Sequence, residues 1–103
     1  YLSTVNYLDN TKFFKPNMLG GVMEYDVNLN QAAVDAIALY TVLMPAIDNY
    51  EDPLQYCDAH QVGGFWCPEF DIMEANRHSF HVTAHKCEEP TPNGVYQSCD
   101  RGG

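Results

Sequence analysis

Basic residues are scarce: five Lys and Arg stand against fourteen Asp and Glu, a formal net charge of -9. Such a chain repels phosphate backbones and anionic bilayers, so neither nucleic acid nor a membrane surface is expected as a partner. Neutral glycans, cations and basic proteins stay open. Long hydrophobic runs are also missing; the longest, AIALYTVLMPAI, is too short and too polar-flanked to cross a bilayer. There is no heptad pattern, internal repeat or low-complexity tract. No Asn-x-Ser/Thr triplet occurs, so N-glycosylation is not expected, while Ser3, Thr4 and Thr91 are candidates for O-linked sugar. Tryptophan is represented only by Trp66. The four cysteines, Cys57, Cys67, Cys87 and Cys99, contain no CxxC pair, which argues for two disulfides in an oxidising compartment rather than a zinc ribbon. No apolar leader stands at Tyr1, and the chain is read as secreted, with a signal peptide removed or lying outside these residues.

What is present describes one folded domain, residues 1–103. At 46% hydrophobic and 13% aromatic, the chain is too apolar to stay disordered, and 103 residues suffice for a single core. Strand patterns dominate. VMEYDVNL alternates strictly, with Met23, Tyr25, Val27 and Leu29 on one side and Glu24, Asp26 and Asn28 on the other. ALYTVLM, residues 38–44, is a continuous run of strand formers expected to be buried on both faces; a helix opened by Asn30 is the alternative. TKFFK, FWCPEFDIM and SFHVTAH are further strand candidates, separated by turn-formers. Short strands at close intervals predict an all-β fold, an antiparallel sandwich or barrel.

Chemistry concentrates in residues 68–87, PEFDIMEANRHSFHVTAHKC, which hold Glu69, Asp71, Glu74, His78, His81 and His85. On a regular strand Glu69 and Asp71 share one face and Glu74 takes the other. Without further information, such acids are read as the solvated face of a strand. His81 and His85 share a parity that His78 does not, so a metal site is not expected, and no cofactor is. The acidic stretch at 48–52 reads as a turn before Pro53 rather than a calcium loop. The seven Tyr and five Phe are read as packing residues before a sugar-stacking surface.

EFDIMEAN resembles the signature of glycoside hydrolase family 7, the cellobiohydrolases and endoglucanases, which runs Glu-x-Asp-x-x-Glu followed by Ala-Asn. The likeness extends outward: TKFFKPNMLGGVMEYDVNL, AIALYTVLM, YCDA and TAHKC are each similar, in order, to segments of that family. The match covers nearly all of this chain but only the middle of the family's longer catalytic domain. The motif's tryptophan is Met73 here, and the insert before the catalytic strand is cut to HQVGGFW.

The resemblance implies a jelly-roll-type β-sandwich, shortened and disulfide-stapled. It also implies a retaining mechanism, with Glu69 as nucleophile, Asp71 as its hydrogen-bonding assistant, Glu74 as acid/base and His85 as a nearby polar partner. Retaining hydrolysis needs its two carboxyl groups about 5–5.5 Å apart. A backbone bulge between Asp71 and Glu74 is therefore expected, to bring Glu74 onto the face of the other two. Crowded carboxylates are expected to keep Glu74 protonated. Cys57–Cys67 and Cys87–Cys99 are the expected bridges, because each closes a short loop and the family tethers its Tyr-Cys-Asp segment to the catalytic strand.

Three functional readings follow. The first is a non-catalytic extracellular module, structural or assembly-forming, with a vestigial motif; a shortened sandwich leaves little groove for a polysaccharide. The second is a small retaining β-1,4-glucanase, and the third a glycan-binding module. Open strand edges, few lysines and the β-prone start YLSTVNYL predict a homo-oligomer or filament built by strand addition.

Overall fold

A central strand with one neighbour on each side carries every acid of the motif. The computed structural model describes residues 15–44 and 56–103. In it β1 (Ile37–Val42), β2 (Glu69–Ala75) and β3 (Phe80–His85) form one antiparallel sheet in the order β1-β2-β3. The run AIALYTV becomes β1 because its β-branched and aromatic side chains suit a pleated surface better than a helical one. The helix alternative survives only as a single 3₁₀ turn, Leu29–Gln31, capped by the Asn28 side chain, which accepts from the Asn30 amide at 3.0 Å. No α-helix occurs among the described residues.

β2 and β3 form a hairpin whose turn is built by the Asn of the motif. Asn76 Oδ1 accepts from the amides of His78 at 2.8 Å and Ser79 at 3.0 Å, an arrangement that Asn adopts readily in turns. The Asn76 amide donates to the Ser79 carbonyl at 3.0 Å, and Arg77 N–H reaches the carbonyl of buried Ala32. Ala75-Asn76 thus ends β2 and starts the return.

Both expected disulfides are formed. Cys57–Cys67 and Cys87–Cys99 join Cα atoms 5.3 and 3.9 Å apart. The first ties the loop 56–67 to the entry of β2, and both its cysteines are fully buried. Inside this loop Gly63 packs where a Cβ would strike the Tyr56 carbonyl, so no larger residue fits. Replacing Cys57 and Cys67 together by serine should lower stability by about 3 kcal/mol, through the freedom returned to the unfolded chain. A urea midpoint unchanged by the double substitution would contradict this.

Two strand expectations need correction. The alternating segment 22–29 is not a strand: no described strand pairs with it, and Val22 is 94% exposed. Alternation suits a packed face, but a strand persists only where its N–H and C=O groups find a ladder partner. Second, β1 is not buried on both faces. Among the described residues it is an edge strand, and Ile37 and Tyr40 remain 38% and 37% exposed. The described residues make one open three-stranded antiparallel sheet. Residues 11–14 of TKFFK, the YLSTVNYL segment and the acidic stretch at 48–52 lie outside the described residues.

The all-β, disulfide-stapled character is therefore present. Two bridges are compatible with an extracellular protein, and no helix among the described residues is long and apolar enough to cross a membrane. The buried centre is small and partly polar: Cys57, Ala59, Cys67, Met73 and Ala75 enclose Asp58, Asp71 and His85.

Candidate active site

Register decides where the acids point. Glu69 lies opposite His85, Asp71 opposite Thr83 and Glu74 opposite His81. Between Asp71 and Glu74 the chain takes three steps, whereas β3 takes two from Thr83 to His81. On the other side, Met73 faces Leu39 while Asp71 faces the adjacent Tyr40, so β2 carries one extra residue there too. A bulge at Ile72 and Met73 thus returns Glu74 to the face of Glu69 and Asp71. Directly opposed residues of a ladder share a face, so His81, Thr83 and His85 join the acids from β3, and Ala38, Tyr40 and Val42 from β1. The four β3 steps from His85 to His81 span ~13 Å of backbone at 3.3 Å per residue. A retaining carboxyl spacing therefore needs Glu69 and Glu74 to lean toward each other over Asp71.

Each acid has a distinct setting. Glu69, with a side chain 9% exposed, accepts the Ala59 amide on Oε2 at 2.9 Å. Burial raises its pKa; the Ala59 hydrogen bond and His85 oppose the rise, while the charges of Asp71 and Asp58 add to it. Glu74 accepts from Thr83 Oγ1 at 3.1 Å. Asp71 pairs with His85, Oδ2 to Nε2 at 2.8 Å, with side chains 7% and 4% exposed.

His85 sits between two acceptors. Its Nδ1 is 2.7 Å from the Asp100 carbonyl oxygen, which can only accept, so Nδ1 carries a proton. Nε2 then shares the proton of the Asp71 contact. Burial disfavours the imidazolium, but the Asp100 carbonyl, the Asp71 hydrogen bond and charge, and the Glu69 charge outweigh it, and the pKa is raised.

The sequence reading missed the support beneath these groups. Asp58, 4% exposed, holds the 56–67 loop by accepting the amides of His60 at 2.9 Å and Val62 at 3.0 Å on Oδ1. Its carbonyl accepts Cys67 N–H at 3.1 Å. The YCDA segment contained this signal, an Asp leading into a turn, but nothing in it indicated which strand the loop would touch. Tyr40 and Tyr56 join hydroxyls at 3.0 Å, and burial first, then Tyr40 and Asp58, raises the Tyr56 pKa. The Arg101 guanidinium lies 5.0 Å over the Trp66 ring, so that ring face is not offered to a sugar.

Comparison with known protein families, curated proteins and solved structures found no match. The site rests on its own geometry. Of the histidines, His85 and His81 are brought to the acid face, while His78 lies exposed in the hairpin turn. No group of three or more His, Cys, Asp and Glu among the described residues is arranged to hold a metal ion. A concavity of about 500 Å³ around the Cys87–Cys99 bridge, lined by Lys86, Glu88, Glu89, Ser98 and Asp100, includes none of the three acids.

Proposed function

We propose that this chain carries the catalytic strand of a retaining β-1,4-glucan hydrolase of the glycoside hydrolase family 7 type, a secreted enzyme of jelly-roll architecture. The observation that supports this reading is the bulge at Ile72 and Met73, because it alone puts Glu69, Asp71 and Glu74 on one face. A solvated strand face has no use for such a bulge, nor for a buried Asp71–His85 pair. This weight moves the second reading of the sequence ahead of the first.

In the proposed mechanism the Glu69 carboxylate attacks the anomeric carbon, while Glu74 gives its proton to the departing glycosidic oxygen. Glu74, now a base, takes a proton from water, whose oxygen displaces Glu69 from the glycosyl ester and regenerates both groups. Asp71, held by His85, steadies the nucleophile's side of the face. Release of chromophore from an aryl β-cellobioside, measured against a Glu69→Gln control, tests the reading. Equal binding of cello-oligosaccharide by both proteins with no turnover in either would instead favour a glycan-binding module.

One observation supports the assembly-forming reading. On the face opposite the acids, Ile37, Phe70, Phe80 and Val82 are 38%, 41%, 59% and 56% exposed, and among the described residues β1 and β3 are the outer strands of the sheet. Apolar exposure of this kind commonly marks a protein contact. Light scattering at micromolar concentration is expected to show a homo-oligomer, and a monodisperse monomer would exclude that reading.

A further inference from the structure

Two groups of the 56–67 loop converge on a single oxygen of Glu69. The Ala59 amide donates to Oε2 at 2.9 Å, and His60 Nδ1 stands 3.9 Å from the same atom. The second distance is an electrostatic contact rather than a hydrogen bond. His60 is anchored for this by its own amide, which donates to buried Asp58 at 2.9 Å, and by its ring, which meets His85 edge-on with centroids 5.4 Å apart. Yet its side chain is 51% exposed, whereas that of Glu69 is 9% exposed. An imidazole fixed in this way at the rim of a buried carboxylate is suited to orienting it.

We propose that His60 is a positioning residue for the Glu69 carboxylate: with the Ala59 amide it fixes Oε2 and leaves Oε1 as the oxygen presented to the anomeric carbon. The inference rests on the hydrolase reading above and adds to it a residue from outside the signature strand, delivered by the loop that Cys57–Cys67 ties down. A misdirected carboxylate would still admit substrate but would attack less often, so the deficit belongs in kcat rather than KM.

The test compares the wild-type chain with His60→Ala, His60→Gln and a control, His78→Ala, whose side chain lies in the exposed hairpin turn. On the aryl β-cellobioside, His60→Ala should lose about fivefold in kcat with KM within about twofold, the scale of a half-exposed charge contact. A second readout needs no turnover: the Glu69 carboxyl ¹³C resonance, assigned by its loss in Glu69→Gln, is followed against pH. The other charged groups facing this carboxyl are Asp58 from the same loop, Asp71 on β2 and His85 on β3, and all variants keep them. In acid solution the imidazolium attracts the carboxylate, so both His60 variants should titrate at higher pH than wild type, with His78→Ala unchanged. An unaltered kcat and an unaltered Glu69 titration would overturn the proposal while leaving the hydrolase reading standing. A shifted titration in a chain that turns over nothing would keep the positioning role and remove the hydrolase. If His60→Ala fails to fold, the carboxyl titration of His60→Gln decides alone.

Discussion

Glu69→Gln is expected to abolish chromophore release from an aryl β-cellobioside. The amide keeps the size of the carboxylate and can still accept the Ala59 N–H, so the loop stays docked while the nucleophile is lost. Glu74→Gln should behave differently. Without a proton donor, cleavage of an unactivated glucan should fall by about 10²–10⁴-fold, whereas a nitrophenyl leaving group, which needs little protonation, should depart nearly as fast as before. That contrast separates the two roles, and equal losses on both substrates would contradict the assignment. The pH profile carries a further sign. Because burial first, and the charges of Asp71 and Asp58, raise the Glu69 pKa, the nucleophile ionises at a higher pH than a free glutamate. Activity should therefore fall on acidification earlier than a free glutamate would dictate, and the acidic limb of kcat/KM measures it.

His85→Ala is expected to cost about 3–5 kcal/mol of stability, the penalty for leaving one member of a buried ion pair alone. Asp71 is 5% exposed and the Asp100 carbonyl loses its donor at the same time, so two acceptors are orphaned by one change. The loss should depend on pH in a defined direction. His85 binds its proton more tightly folded than unfolded, so its stabilisation is complete below its ordinary value of 6.5 and disappears as pH rises through the raised folded value. Glu69 acts with the same sign lower down: its folded form also favours the proton, so its contribution declines as pH rises from 4.5 through its raised value. Wild-type stability should thus fall with rising pH in two stages, and His85→Ala should lack the upper one. Thermal midpoints between pH 4 and 9 would show this; an upper stage retained in the variant would assign it to another group.

Much of this was readable because local chemistry matched the final arrangement. The strand-forming run at 38–44 and the strand candidate SFHVTAH express preferences of the chain over a few residues, and each overlaps a strand of the sheet, Ile37–Val42 and Phe80–His85; the turn made by Asn76 was not read from the sequence. The bulge was legible too, though only through a functional constraint: the parity of Glu69, Asp71 and Glu74 is wrong on a regular strand, so an inserted residue had to correct it. What failed was anything that depended on a partner element. Met23, Tyr25 and Val27 alternate as well as any residues in the chain, yet alternation states which face would be packed and not whether a ladder stands beside it. The expected two-sided burial of β1 failed for the same reason, since edge position belongs to the sheet and not to the strand.

By itself, then, the sequence determined the strand-forming runs, the acid charge, the likeness of its signature and the short loops that cysteine pairing closes, because each depends on residues close in the chain. Tertiary structure alone decided which groups surround the carboxylates. Glu69 meets the Ala59 amide ten residues back, His85 meets the Asp100 carbonyl fifteen residues on, and Asp58 holds both the loop amides and the entry to β2. These contacts join segments brought together by the β2–β3 register and two disulfides. A pKa raised by burial, or a carboxylate oxygen approached by a backbone amide and an imidazole, exists only after that approach, since both depend on water being displaced and on distances that no local pattern encodes.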